Sequence, residues 1–157
     1  MVKSKKPFTA DISISKKNIF ITKSADETRK LGKSFASVLK AGDIVFLKGD
    51  LGSGKTTFVQ GVVKAFGHKG YVRSSSFALV NEYKTGDAGV KLFHMDLYRL
   101  APSDIWSIGI EEYVYGENIS LIEWADRLTG DTKNDNTWSV DIEVDGEERK
   151  IAIRKVK

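Results

Sequence analysis

Cysteine is absent from the 157 residues of the sequence. Without cysteine the chain has no disulfide framework, no thiol nucleophile and no cysteine-ligated zinc site. Long apolar runs are also absent, since no stretch approaches the roughly 20 residues that span a bilayer. The lysines of residues 1–10 are not followed by the apolar segment of a secretory signal. These absences predict a cytoplasmic protein that does not enter a membrane.

Positive charge is concentrated at the two ends of the chain, whose net charge is +4. Lysines dominate the first 23 residues, and lysines and arginines crowd residues 149–157. One interpretation is that residues 1–10 and 155–157 are solvated, mobile basic termini. The other is a surface that faces RNA, because clustered lysines attract phosphate. Charge alone leaves both interpretations open.

Composition and hydrophobic patterning predict a single domain, residues 1–157, with an α/β fold. The chain is 41% hydrophobic and 29% charged, as in ordinary soluble proteins. Strands and helices mix, with at least one strand–loop–helix unit, which indicates a mixed β-sheet flanked by helices. Short strands are predicted over residues 11–15, 19–22, 44–47, 78–83, 90–95, 119–122, 139–144 and 149–153.

Helix signals separate these strands. Ser24 and Glu27 have the spacing of a capping box, and an apolar helical face follows them. Further helical segments are predicted over residues 55–66, 103–108, 110–115 and 124–128. Asp145-Gly146 lies between two alternating runs and predicts a C-terminal β-hairpin. We expect this hairpin to extend the sheet in a purely structural role.

The sequence GDLGSGKTT, residues 49–57, contains the pattern G-x-x-x-x-G-K-[ST] of a phosphate-binding loop. Glycines let backbone N–H groups point inward, and the helix that follows adds the positive end of its dipole. Lys55 supplies charge for the β- and γ-phosphates, and the Thr56 hydroxyl is a ligand for Mg²⁺. A flexible glycine turn with a chance lysine would not explain the apolar strand before the loop and the helix after it. The pattern therefore predicts nucleotide binding by a P-loop NTPase-like domain.

Two acidic residues complete the predicted magnesium site. Asp96 and Glu123 each follow an apolar run that reads as a strand. The carboxyl ends of such strands lie at the sheet edge that also holds the phosphate loop, so each acid could face Thr56. Each acid taken alone could instead be a helix N-cap or a surface carboxylate. His94 is interpreted as a packed strand residue rather than a metal ligand.

Four segments together resemble the TsaE/YjeE family, the bacterial P-loop ATPases needed for threonylcarbamoyladenosine modification of tRNA. These segments are GDLGSGKTT, VRSSSFALVNEY at 72–83, FHMDLYRL at 93–100 and IEWADRL at 122–128. The first segment is generic alone, but the four are specific in this order and spacing. The resemblance covers roughly residues 20–145.

The resemblance implies a role for each matching residue. Lys55 and Thr56 hold phosphate and Mg²⁺, and Glu123 is an acidic magnesium ligand. Asp96 lies near the γ-phosphate and orients water or a magnesium-bound water. Lys55 and Asp96 are thus the candidate catalytic residues, and Asp96 is a further candidate for the metal. Trp124 lies near the nucleotide, although it could also be an ordinary core or rim aromatic.

The loop at Ser74–Phe77 departs from the family pattern. The family usually has Ser-Pro-Thr-Phe where this chain has Ser-Ser-Ser-Phe, so the loop loses the rigidity that proline supplies. Ser76 keeps a hydroxyl that can sense the γ-phosphate or Mg²⁺. Arg99 and Arg127 are interpreted as surface or partner-contact cations rather than catalytic arginines. The nucleotide-contacting set predicted from motif and resemblance is Gly49, Asp50, Leu51, Gly52, Ser53, Gly54, Lys55, Thr56, Thr57, Ser76 and Trp124.

The resemblance implies a Mg²⁺-dependent ATPase that is weak alone and works with the proteins TsaD and TsaB. Those partners would transfer the threonylcarbamoyl group to tRNA, and ATP hydrolysis by this chain would reset the complex between turnovers. Contact with tRNA would pass through the complex, and the sequence does not fix the oligomeric state. Three alternatives are a small-molecule kinase, a GTP-driven switch and a non-enzymatic RNA-binding module. A kinase would need an arginine-rich lid, and a GTP switch an Asn-Lys-x-Asp segment, neither of which is recognised in the sequence.

Overall fold

The computed structural model describes residues 10–70, 72, 80–86, 89–128 and 136–156. These residues form a seven-stranded sheet in the spatial order β1-β7-β6-β2-β5-β4-β3. The strands are β1 (Asn18–Thr22), β2 (Ile44–Lys48), β3 (Val80–Lys84), β4 (Lys91–Asp96), β5 (Ile119–Glu123), β6 (Thr137–Asp145) and β7 (Glu148–Val156). The helices are α1 (Ala25–Ala36), α2 (Lys55–Ala65) and α3 (Glu111–Val114). Short 3₁₀ turns cover Pro102–Asp104, Trp106–Ile108 and Ala125–Arg127.

The sheet is mixed, as the sequence predicts. β2 lies between β6 and β5 and runs parallel to both, and β4 is parallel to β5. The outer strands β1, β7 and β3 pair antiparallel with their neighbours. The carboxyl ends of β2, β4 and β5 therefore meet at one edge, which is where parallel sheets gather ligands.

Helix α1 forms as the capping pattern predicts. Ser24 Oγ accepts a hydrogen bond from the Glu27 N–H over 3.1 Å. Glu27 Oε2 reaches back to the N–H of Lys23, one residue earlier than in the usual capping box. The helix then crosses α2 closely. A side chain at Gly61 of α2 would collide with the backbone carbonyl of Arg29, so glycine permits the backbones to touch.

Each face of the sheet has its own apolar core. On one face α1 and α2 pack against β2 and its neighbours, with Phe35 in contact with the rings of Phe58 and Trp138. On the other face, Ile105 and Ile110 of the segment between β4 and β5 cover the strands. β2 is thus buried on both sides, as its continuous apolar run indicates.

One local prediction differs from the structure. The strand expected over residues 11–15 is wrong, because the Asn18 side chain exchanges hydrogen bonds with the backbone N–H and carbonyl of Ser13 and bends the segment. The short helical segments predicted at 103–108 and 110–115 are confirmed, with the break at Gly109; the first segment forms two 3₁₀ turns and the second forms the short α3. The start of the strand predicted at 78–83 lies outside the described residues.

The C-terminal hairpin forms around Gly146, with Asp145 paired to Glu148. Residues 155 and 156, expected in a mobile basic terminus, belong to β7 and pair with Trp138 and Thr137. Ala10, also expected in a mobile terminus, packs against the apolar core beside α1 and α2, and residues 1–9 and 157 lie outside the described residues.

Candidate nucleotide-binding site

The phosphate-binding loop connects β2 to α2, as predicted from its flanking sequence. Gly54 begins the helix with φ of 110°, a left-handed conformation that favours glycine. At Gly49 a Cβ would lie 2.6 Å from the carbonyl oxygen of Ile142, so the loop passes directly against β6. Glycine is therefore required both for the shape of the loop and for its position beside the sheet.

Lys55 is largely buried inside this loop. Its Nζ donates hydrogen bonds to the carbonyls of Gly49, at 2.6 Å, and Asp50, at 2.9 Å. The same ammonium lies 4.5 Å from the centre of the Trp124 ring, a cation–π distance. Burial lowers the pKa of Lys55 from its usual value, and the carboxylates of Glu123 and Asp96 act in the opposite direction. The charge is thus held at the centre of the site by the loop itself.

The structure brings Thr56, Glu123 and Asp96 together. Thr56 Oγ1 donates a hydrogen bond to Glu123 Oε1 over 2.9 Å. Asp96 and Glu123 are register partners at the ends of β4 and β5, so the two carboxylates are neighbours. Burial is the main cause that raises the pKa of Asp96, and nearby Glu123 adds to it, while a hydrogen bond from the Tyr98 N–H opposes it.

These oxygen atoms fit a magnesium ion. Mg²⁺ prefers oxygen ligands and usually takes one or two carboxylates, with phosphate oxygens and water completing the shell. The Thr56 hydroxyl and the Glu123 and Asp96 carboxylates supply that donor set at the mouth of the loop. Over the described ranges, no group of three or more His, Asp or Glu side chains is arranged to hold a metal without such added ligands.

A cleft of about 450 Å³ opens above the loop. Most of the predicted site residues share its wall, together with Tyr98 and Arg99. The lining residues are Leu51, Gly52, Gly54, Lys55, Thr56, Thr57, Asp96, Tyr98, Arg99, Glu123 and Trp124. Ser76, predicted to sense the γ-phosphate, lies outside the described residues, as does the whole of Ser74–Phe77.

Trp124 closes one side of the cleft in a left-handed backbone conformation, with φ of 58°. A bulky residue rarely adopts this conformation. The backbone N–H of Trp124 donates to the Leu47 carbonyl over 3.2 Å, and the indole ring lies 4.9 Å from the Tyr98 ring. Arg127 stacks near both rings and donates to the Leu100 carbonyl. The structure therefore places Arg127 against the aromatic wall, and places Arg99 on the cleft itself.

A smaller cavity of about 140 Å³ lies on the other side of the loop. It is bounded by the start of α1 and by Glu147 and Arg149 of the hairpin, and Thr57 lines both cavities. Arg149 Nε donates a hydrogen bond to the Ser53 carbonyl over 3.0 Å. The hairpin therefore contacts the loop, which sequence reasoning missed. The contact depends on the pairing of β6 with β2, and no local sequence motif predicts that pairing.

His94 is completely buried in β4, as expected of a packed strand residue. Its Nε2 lies 3.3 Å from Glu123 Oε2.

Across the part of the chain that the structure describes, none of the helices has the length and apolar character of a membrane span.

A glycine loop between a buried parallel strand and a helix, with carboxylates at the ends of the adjacent strands, defines a P-loop α/β protein. Comparison with known proteins identifies the family within this class. The family described as threonylcarbamoyl adenosine biosynthesis protein TsaE matches residues 22–152. The chain therefore belongs to the TsaE family.

Individual relatives agree with this placement. The protein named tRNA threonylcarbamoyladenosine biosynthesis protein TsaE in Haemophilus influenzae is 41% identical over 107 residues, which cover 64% of this chain and 66% of that protein. Its namesake in Bacillus subtilis is 38% identical over 104 residues, covering 66% of this chain and 64% of that protein. These matches span just under two thirds of the relatives' own length. The crystal structure of Bacillus subtilis YdiB matches with a TM-score of 0.69 and 31% identity, over 88% of this chain and 84% of that one.

Proposed function

We propose that this chain binds ATP with Mg²⁺ and hydrolyses it slowly, as a component of the machinery that makes N6-threonylcarbamoyladenosine in tRNA. The observation that carries the proposal is the meeting of Lys55, Thr56 and Glu123 at the mouth of the glycine loop, beside Asp96. Membership of the TsaE family supports the same assignment.

The chain's own residues account for phosphate binding. Lys55 already bonds two loop carbonyls, and its ammonium can turn from them to the β- and γ-phosphates. Thr56 and Glu123 would hold Mg²⁺, which supplies charge neutralisation for the phosphates. Asp96, half-buried beside Glu123, would orient the attacking water.

The rest of the nucleotide has space on the far side of the loop. Gly52, Gly54 and Thr57 line both the large cleft and the smaller cavity, so the two lie on opposite sides of the same loop. A nucleotide whose phosphates lie in the loop can extend its nucleoside past Thr57. Glu147 and Arg149 would then contact the nucleoside.

Slow turnover follows from how phosphoryl transfer is catalysed. Rate depends on positioning and on neutralising charge at the transferred group, commonly with an arginine. Arg127 is held on the aromatic wall, and Arg99 lies on the exposed rim of the cleft. We therefore assign full activity to the assembly with TsaD and TsaB in the cytoplasm, where tRNA would be reached through the complex.

Calorimetry of the full chain with ATP, ADP and GDP tests the binding proposal. We expect ATP and ADP to bind in the presence of Mg²⁺ and GDP to bind more weakly. Absence of ATP and ADP binding, or a preference for GDP, would overturn the proposal.

Phosphate release tests the role of the partners. We expect weak hydrolysis by the chain alone and faster hydrolysis once TsaD and TsaB are added. Brisk hydrolysis that does not change on adding both partners contradicts the assignment to the assembly while leaving ATP binding intact.

A further inference from the structure

His94 is a buried polar side chain that has no role in the nucleotide-binding site described above. The ring is 0% exposed, and neither nitrogen has a hydrogen-bond partner among the residues that the structure describes. A buried polar group without a partner costs free energy, so such groups in folded proteins require a reason. The polar contact of this ring is the 3.3 Å approach of Nε2 to Glu123 Oε2, and Glu123 is only 2% exposed.

The strand register explains how the two side chains meet. β4 pairs in parallel with β5, with His94 opposite Leu121 and Asp96 opposite Glu123. Side chains two residues apart on a strand share a face. His94 and Asp96 therefore point to the same side of the sheet as Glu123, and His94 lies one step further into the core. The imidazole lies behind the Glu123 carboxylate, on the side away from solvent.

The two oxygens of Glu123 have different neighbours. Oε1 accepts the hydrogen bond from Thr56 Oγ1 at 2.9 Å, and Oε2 faces His94 Nε2 at 3.3 Å. The 3.3 Å approach does not have the geometry of a hydrogen bond in this structure, but it places the imidazole against Oε2, which leaves Oε1 directed at Thr56. A carboxylate that binds a metal is commonly fixed by an outer partner, and loss of that partner typically costs about 10–100-fold in metal affinity.

We infer that His94 is a positioning residue that holds Glu123 in the orientation needed to bind Mg²⁺ together with Thr56. This inference rests on the proposed function, because it concerns the metal of the same site. His94 does not touch the metal or the nucleotide in this arrangement. It acts through the carboxylate, and its effect is confined to the step that requires Mg²⁺.

Two substitutions separate the positioning role from simple packing. His94→Phe keeps an aromatic ring but removes both nitrogens, and His94→Gln keeps an amide donor near the place of Nε2. ADP affinity is measured in EDTA and then across a Mg²⁺ titration. For His94→Phe we expect the EDTA affinity to stay within about twofold and the half-saturating Mg²⁺ concentration to rise about tenfold or more. His94→Gln should restore that concentration to within about threefold of the wild type.

His68→Gln is the matched control. His68 is the other of the two histidines in the chain, and its ring packs against Tyr83, 4.7 Å away. We expect this variant to keep the wild-type Mg²⁺ dependence. Wild-type Mg²⁺ dependence in His94→Phe, or equal impairment in His94→Gln, overturns the inference but leaves the proposed function standing. A wild-type chain whose nucleotide binding ignores Mg²⁺ overturns both.

A second measurement needs no substitution at His94 and therefore survives a variant that fails to fold. Long-range ¹H–¹⁵N spectra of the wild-type chain report the imidazole nitrogens, and the His68→Gln spectrum assigns the two rings. We expect the His94 Nε2 resonance to be that of a protonated nitrogen and to shift when Mg²⁺ is added to the ADP complex. A resonance that does not move on saturation with Mg²⁺ overturns the inference.

Discussion

Arg149 Nε donates a hydrogen bond to the Ser53 carbonyl over 3.0 Å and so joins the C-terminal hairpin to the phosphate-binding loop. The two residues meet because β6 runs parallel to β2 and continues past Asp141, the partner of Lys48, to the hairpin turn. The hairpin therefore supports the loop from the side, in addition to extending the sheet.

Replacement of Arg149 by alanine should weaken Mg²⁺–ADP binding by about 2- to 10-fold, because it removes the hydrogen bond to the loop, which typically contributes about 0.5–1.5 kcal/mol, together with a side chain proposed to contact the nucleoside. Calorimetry measures this directly. Arg154→Ala is the control, because Arg154 is an exposed cation on the same strand. Equal affinities for Arg149→Ala and the wild type would show that the hairpin contact does not support the loop.

Lys55→Ala removes the buried ammonium that we propose binds the phosphates. Truncation of one member of a buried charge pair costs about 2–5 kcal/mol, so nucleotide affinity should fall tenfold or far more. Lys64→Ala provides the comparison, since Lys64 is exposed in the last turn of the same helix. Retention of wild-type affinity by Lys55→Ala would refute the assigned role of the loop.

Replacement of Glu123 should impair Mg²⁺-dependent nucleotide binding, whereas replacement of Asp96 should impair hydrolysis. Glu123→Ala should raise the Mg²⁺ concentration needed for nucleotide binding by about tenfold or more, because the proposed carboxylate ligand is lost. Asp96→Ala should reduce hydrolysis by about tenfold or more while it changes binding less. Binding by Mg²⁺ titration and single-turnover phosphate release separate the two effects. Glu112→Ala, an exposed acid of α3, is the control. Normal hydrolysis by Asp96→Ala would remove that residue from the reaction.

The raised pKa of Asp96 gives a pH dependence of stability. Burial and the neighbouring Glu123 raise the pKa of this carboxyl in the folded chain, so the folded state holds its proton to higher pH than the unfolded chain does. The stability that Asp96 contributes is therefore present below the unfolded-state pKa and is lost as pH rises through the folded-state pKa. Asp96→Asn cannot titrate there, so its stability relative to the wild type should rise from about pH 4 to pH 7. Urea unfolding at both pH values measures the difference in unfolding free energy between Asp96→Asn and the wild type. A difference that does not change with pH contradicts the prediction.

The glycine loop and its acids could be predicted because each depends on local sequence. An apolar run followed by GDLGSGKTT specifies strand, loop and helix in order. Asp96 and Glu123 each end an apolar run, and parallel pairing of those runs makes them neighbours. Their assigned roles remain predictions, and Ser76 lies outside the described residues.

The contacts that were missed depend on pairing between distant segments. Arg149 is adjacent to Ser53 only because β6 pairs with β2, and nothing near either residue specifies that pairing. The strand expected over residues 11–15 fails for another non-periodic reason. Apolar and polar residues do alternate there, but the Asn18 side-chain amide forms hydrogen bonds with the backbone N–H and carbonyl of Ser13. The period of the hydrophobic pattern indicates which side chains are buried. It carries no information on hydrogen bonds from a side chain to the backbone.

The glycine contact between the two long helices has a consequence for how the protein tolerates variation. Because the Arg29 carbonyl lies where a methyl group at Gly61 would stand, α2 has no spacer separating it from α1. Adding even one carbon at Gly61 must displace α1 or α2, and α2 carries Lys55 and Thr56 in its first turn. Gly61 does not line the cleft, yet a larger residue there should disturb the helix that begins at the glycine loop, so harmful substitutions are expected at the contact between α1 and α2 as well as in the cleft.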